Sequence, residues 1–489
     1  MSAKARRAEF GDFQTPDALA QSACDLLSRV GLEPASIVEP TCGTGAFLKA
    51  SRKAFPKCDT LLGYDVNPEH VRVARSAVPR ALVRCEEFFA KDWETTLDEL
   101  QEPILVVGNP PWVTNSAVGA ISGTNLPVKS NFLGLSGFDA ITGKSNFDIS
   151  EWILMCLLRC LSGRSATLAM LCKTVVARKV LLHAWKHHVG VARTAVYKID
   201  ALAQFGAAVD ACLLVCELQP GTSSKECEVH PSLESCESTS TFALRGERLV
   251  ADLAAHKAHG HLSGESPLKW RSGIKHDCSR IMELRPTEDR RLYVNGLGET
   301  VELEADFLFP MLKSSELAKG ATPSRYMLVT QQTVGEDTSV IADRAPLTWQ
   351  YLESHAPTLD SRSSSIYRNR PRFSVFGVGG YSFAPWKVAI SGFYKQLDFR
   401  CVGPFDNKCV VLDDTAYFLA CQSEDEAQKI AVMLNSEKAK GFFNSFVFWD
   451  AKRPITAGLL SSLDLGCLAR QLGVAAFPQD GEGVARIGS

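Results

Sequence analysis

Four consecutive residues, Asn109-Pro110-Pro111-Trp112, carry the most specific chemistry in the chain. They follow an apolar run, Ile104–Gly108, that reads as a strand, which puts them on the edge of a sheet where ligands bind. An amino group attached to an aromatic ring is a poor nucleophile, because its lone pair is delocalised into the ring. The Asn109 side-chain oxygen and the Pro110 carbonyl can each accept one of its N–H bonds. That draws the nitrogen toward tetrahedral geometry with its lone pair aimed at a methyl donor. Neither Pro110 nor Pro111 has a backbone N–H, so neither donates into the same pocket. Trp112 offers a face for a base taken out of its stack. No strong general base is needed, since the methylated nitrogen loses its proton easily and positioning carries the reaction.

A second group of residues has the spacing of a cofactor site. Glu39-Pro40-Thr41-Cys42-Gly43-Thr44-Gly45 follows the first predicted strand and opens a helix. Gly43 and Gly45 allow a tight turn and close approach of a ligand to the main chain. A pyrophosphate site would want a third glycine where this chain has Leu48. Asp65, at the end of the second predicted strand and twenty residues after Gly45, stands where an acid binds ribose hydroxyls. Together they predict a nucleoside cofactor without a pyrophosphate, such as S-adenosylmethionine.

The elements that must position these residues are legible as alternating runs. Strands are expected at 36–39, 61–65, 81–85, 104–108, 167–172, 194–199 and 212–217, with helices at 17–29, 45–54, 68–77 and 149–161. This alternation predicts an α/β fold built on a Rossmann-like, mostly parallel, doubly wound sheet. Between Trp112 and Phe147 the pattern lapses into a Ser-, Gly- and Asn-rich loop of a length that is usually functional or disordered. The polar stretch from Pro220 to Thr241 reads either as an excursion in an edge hairpin or as part of a domain boundary. Beyond about Lys269 the chain turns to short β-like runs, Gly/Pro turns and many aromatics, which suggests a second, β-rich α+β domain. The expected division is residues 1–260 and 261–489.

The motifs and their order resemble the S-adenosylmethionine-dependent N6-adenine DNA methyltransferases of the gamma arrangement, the TaqI-like group. In that group the cofactor motifs come first, Asn-Pro-Pro-aromatic follows, and a target-recognition domain closes the chain. The resemblance covers roughly the first 220 residues motif by motif and the rest more loosely. It implies that Gly11-Asp12-Phe13-Gln14-Thr15-Pro16 is the N-terminal cofactor motif, with Phe13, Thr15 and Pro16 bordering the methionine end. It further places Glu39, Thr41, Gly43 and Gly45 around the cofactor's amino-acid part, and Asp65 and Val66 at its ribose. Glu87 and Phe88 occupy the place of an Asp-Phe pair at the cofactor's adenine, with the longer Glu side chain a departure from the pattern. Trp112 stands where the group more often has Tyr or Phe, and Phe205, in Gln204-Phe205-Gly206, resembles the phenylalanine that closes the second face of a flipped base. With its cofactor motif beginning at Gly11 and no recognised nuclease signature, the chain is expected to be a stand-alone modification enzyme serving a restriction or phage-defence system whose other subunits are separate.

Composition limits these readings. Among 489 residues, 53 basic and 55 acidic side chains leave a formal charge of −2, which excludes indiscriminate coating of nucleic acid and a basic membrane-surface protein. Double-stranded DNA remains open as a partner through a local surface. From Arg362 to Arg400, seven basic residues face one acid, a net +6, interleaved with nine Tyr, Phe and Trp. Arg362, Arg368, Arg370, Arg372, Lys387 and Lys395 are therefore candidate DNA contacts. The sixteen cysteines are scattered, none at zinc-ligand spacing, so core thiols in a reducing cytoplasm are expected and no metal. No apolar run approaches the roughly 20 residues of a membrane span. RNA adenine methylation, N4-cytosine DNA methylation and a catalytically inactive DNA-binding protein of the same fold stay open beside the adenine reading.

Overall fold

The computed structural model describes residues 14–113, 148–289 and 291–474. Phe13 and the Ser/Gly/Asn-rich loop after Val113 lie outside them. The chain divides between Leu253 and Ala254 into two units.

In the first unit, strands β1 (Ser36–Glu39), β2 (Thr60–Asp65), β3 (Leu82–Cys85), β4 (Ile104–Gly108) and β5 (Ala166–Lys173) pair in parallel in the order β3-β2-β1-β4-β5. Every residue of β1 and β4, and all of β5 but Lys173, is buried. Such continuous burial, mostly apolar, is what a sheet covered on both faces requires. Antiparallel β7 (Ala211–Leu218) joins β5 to β6 (Val191–Ile199). The polar 220–241 stretch contributes β8 (Glu226–His230), and β9 (Ser240–Arg245) and β10 (Arg248–Val250) follow, so the edge-hairpin reading holds and the sheet gains its outer strands.

The helices are α1 (Asp17–Arg29), α2 (Ala46–Ala54), α3 (Pro68–Ala77), α4 (Trp93–Asp98), α5 (Ile149–Cys160), α6 (Thr174–Lys186) and α7 (Ala201–Phe205). The strand and helix expectations fall within a few residues of these bounds, but α4, α6 and α7 were not foreseen. In α6, Arg178, Lys179 and His183 interrupt the apolar stripe, yet Val176, Val180, Leu181 and Trp185 are buried. All sixteen cysteines are free thiols, and Cys156, Cys160, Cys212 and Cys216 are buried, as core thiols should be.

The second unit holds two smaller sheets. One takes the order β11-β20-β17-β18, with β11 (Arg271–Ser272), β17 (Trp386–Ser391), β18 (Arg400–Val402) and β20 (Ala416–Cys421). The other, β14-β13-β12-β16-β15-β19, comprises β12 (Glu283–Pro286), β13 (Leu292–Val294), β14 (Thr300–Glu302), β15 (Leu308–Leu312), β16 (Arg325–Leu328) and β19 (Val411–Leu412). The aromatics expected to build a core do so in part: Phe373, Phe399, Phe442 and Phe443 are buried. Among the described residues no helix is long and apolar enough to cross a membrane.

Candidate active site

The strand order β3-β2-β1-β4 sets four carboxyl ends side by side, and one cavity opens along them. Its wall includes Thr15, Glu39, Thr41, Gly43, Asp65, Val66, Glu87, Phe88, Asn109 and Pro111, all expected from sequence. Pro16, Gly45, Pro110, Trp112 and Phe205 are not on that wall. Pro16 caps α1, its carbonyl accepting from Ala20 N at 3.1 Å.

The glycine turn is built by backbone conformations that L side chains resist. Gly43 has φ +50°, and a Cβ there would sit 2.7 Å from Gln14 Oε1. Gly45 caps α2 at φ +90°, and its Cβ would press on Ala74 of α3. The two glycines thus close the turn and let two helices meet. Asp65 holds the turn from the next strand: its Oδ2 accepts from Gly43 N at 2.9 Å and its Oδ1 from Asn67 N at 2.8 Å.

Glu39 is fully buried, with its Oε2 accepting from Leu48 N at 2.9 Å. Burial pushes its carboxyl well above the usual range, and the nearby Asp65 adds to the rise. Glu87 caps a short turn, its carboxylate accepting from Ala90 N at 2.7 Å, while its residue still lines the cavity. Thr41 Oγ1 is buried without a hydrogen-bond partner among the described residues.

The catalytic-motif residues are held from several directions. Asn109 Nδ2 donates to Thr15 Oγ1 at 3.2 Å, which joins the N-terminal motif to the end of β4. Trp112 donates its indole N–H to Leu171 O on β5 at 3.3 Å and meets Phe205 edge-to-face, ring centroids 5.1 Å apart. Sequence reasoning missed several wall residues: Gln14, Asn67, His70, Phe89, Ile149 and Ile153. Ile149 and Ile153 lie one turn apart on α5 after the capping Asp148, an i, i+4 spacing that was available as a signal.

Aligned over 473 residues, the chain is 46% identical to the type II methyltransferase M.NspV of Nostoc sp., covering 94% of this chain and 97% of that protein. The chain belongs to the type II DNA methyltransferases of restriction–modification. It is also 31% identical over 111 residues to the type II methyltransferase M.CvrRI of Paramecium bursaria Chlorella virus XZ-6E, covering 23% of this chain and 27% of that one. No protein-family model matches. Among solved structures, the type IIL restriction–modification enzyme MmeI in complex with DNA shares the fold, with a TM-score of 0.58 and 13% identity over 95% of this chain and 69% of that one.

The methyltransferase uses S-adenosylmethionine, and the cavity fits it. The buried Thr41 hydroxyl awaits a polar partner, Glu39 is an acid that a cationic amino-acid group would ionise, and the glycine turn admits close approach.

In the second unit the expected DNA contacts separate into two groups. Arg368, Arg370 and Lys395 are exposed. Arg372 is exposed too but is paired with Asp360 at 2.7 Å. Lys387 is a correction: it is 1% exposed and donates to Ala384 O at 2.7 Å, so its ammonium cannot reach a phosphate. Arg362 is likewise turned inward, donating to the carbonyls of Leu359, His276 and Ser374 and lying over the Tyr367 ring. A count of charges along the sequence cannot tell a solvated cation from one that ties loops together. Of the interleaved aromatics, Phe376, Phe393 and Tyr394 are exposed.

Proposed function

We propose that this methyltransferase transfers a methyl group to N6 of an adenine extruded from a specific duplex sequence, as a gamma-arrangement, TaqI-like modification enzyme. The observation that carries this reading is Asn109-Pro110-Pro111-Trp112 at the end of β4, with Asn109 and Pro111 on the wall of the cofactor cavity and Trp112 beside Phe205.

When bound, the cofactor supplies an electrophilic methyl group on a sulfonium. Glu39, Thr41 and the Gly43 turn would hold its amino-acid part, Asp65 and Val66 its ribose, and Glu87 and Phe88 its adenine. Thr15 Oγ1 accepts from Asn109 Nδ2 at 3.2 Å. Oδ1 is then the acceptor for one N–H of the target amine, and the Pro110 carbonyl accepts the other. A base sandwiched between Trp112 and Phe205 needs about 3.4 Å on each side, roughly 7 Å in all. At 5.1 Å the rings must part to admit it.

Exposed Arg368, Arg370 and Lys395, with Arg372, would contact duplex phosphates and bases. The expected setting is the cytoplasm, beside a separate restriction or defence activity. Mapping of modified bases by single-molecule sequencing, in a host expressing the chain or its Asn109→Ala variant, tests the reading. An adenine mark at one sequence, lost in the variant, is expected. A cytosine mark, no mark, or an equal mark from the variant overturns it.

A further inference from the structure

Lys173 stands at a position that local energetics disfavour. It ends β5 and is the N-cap of α6, yet its side chain makes no cap hydrogen bond. A cation at a helix N-terminus opposes the helix dipole, and Ser, Thr, Asp or Asn would satisfy the free N–H groups there. A residue that breaks a local rule in a well-packed fold usually serves something elsewhere.

Its side chain shows where. Lys173 Nζ donates to the backbone carbonyl of Trp112 at 3.2 Å and to Asp148 Oδ2 at 2.6 Å. Asp148 is buried, and its other oxygen accepts from the N–H and hydroxyl of Ser150 at 3.1 and 2.6 Å, capping α5. Ile149 N donates to Val113 O at 2.9 Å. The chain leaving Trp112 and the chain entering α5 are thus tied together at one point. With Leu171 O taking the indole N–H, Trp112 is held to β5 by both ring and backbone.

We propose that Lys173, fixed by Asp148, is a positioning residue that sets Trp112 in register for capture of the target base. This rests on the base-capture reading above. Asp148 also caps the helix that brings Ile149 and Ile153 to the cavity, a cap that an Asn oxygen retains.

The test uses the full chain with Lys173→Met/Asp148→Asn, Lys173→Met and Lys173→Arg. The double variant avoids leaving a buried carboxylate without its cation, and the Asn oxygen can still accept from Ser150. Steady-state methylation of an oligonucleotide carrying the mapped sequence, S-adenosylmethionine affinity by calorimetry, and fluorescence of 2-aminopurine at the target position are measured. The double variant is expected to lose on the order of 10- to 100-fold in kcat/KM for DNA. It should also lose the 2-aminopurine signal, with cofactor affinity within about twofold of the parent. Lys173→Arg, which keeps the charge and the donors, should restore part of both. Parental kinetics in the double variant, or a matching loss of cofactor affinity, overturns the proposal. If the reading itself fails, the unaltered chain lacks an Asn109-dependent adenine mark. If only this proposal fails, that mark is present and the Lys173 variants reproduce parental DNA kinetics.

Discussion

Trp112 combines two duties that a smaller aromatic would separate. In the proposed reaction its ring face would meet the target base, while its indole N–H is spent on Leu171 O. Trp112→Phe keeps the face and loses one hydrogen bond worth about 1 kcal/mol, so roughly a fivefold loss in kcat/KM for DNA is expected. Trp112→Ala removes the stacking surface, worth about 1–3 kcal/mol per base, as well as that hydrogen bond, and should cost roughly 30- to 1,000-fold. Steady-state methylation of both variants checks the order. Equal losses would show that the ring face contributes nothing beyond its tether.

At the scale of elements, the second unit shows how one buried acid stitches strands together. Glu283 on β12 receives Lys313 at 2.6 Å, Arg325 of β16 at 3.0 Å and His276 at 3.3 Å. Burial alone would raise its pKa, but the hydrogen bonds from His276 and Lys313 and the Lys313 charge outweigh it and hold it at about 2. A folded pKa below the unfolded one gives stability that is present above the unfolded value and lost as pH falls toward the folded one. Glu283→Gln should therefore cost roughly 2–3 kcal/mol at pH 7, a gap that closes as pH falls from about 5 to about 2. Denaturant titrations of parent and variant across that window measure it. A gap unchanged by pH would mean that packing, not charge, is what the substitution disturbs.

At the scale of the whole molecule, a chain of net charge −2 must bind a polyanion through a few exposed cations. If Arg368, Arg370 and Lys395 each neutralise a phosphate, replacing all three with Gln should flatten the slope of log affinity against log salt by about 2.7. Lys387→Met should leave that slope alone. Burial lowers the Lys387 pKa to about 8, below its ordinary value. Between about 8 and 10.5 the unfolded chain then binds more protons, so the parent gains stability as pH rises there and Lys387→Met should not. DNA-binding titrations at several salt concentrations and melting curves against pH separate the two groups.

Order and local pattern were enough to place seven strands of the first sheet, the glycine turn, Asp65 and Asn109, because each depends on neighbours in sequence or on a fixed periodicity. Ile104–Gly108 followed by Asn-Pro-Pro-Trp reads as a strand with the motif at its end, and the structure ends β4 at Gly108. The basic patch was misread in part, because burial is not a sequence-local property. Lys387 is in β17, a strand buried on both faces from Lys387 to Ser391, and Arg362 donates to the carbonyl of His276, 86 residues away. Thr15 joined to Asn109 across 94 residues, and Lys173 joined to Trp112 across 61, are likewise products of tertiary folding. A hydrogen bond between distant residues has no periodicity to betray it. The sequence by itself determined which groups could do the chemistry; only tertiary packing decided which of them are held still and which cations stay exposed.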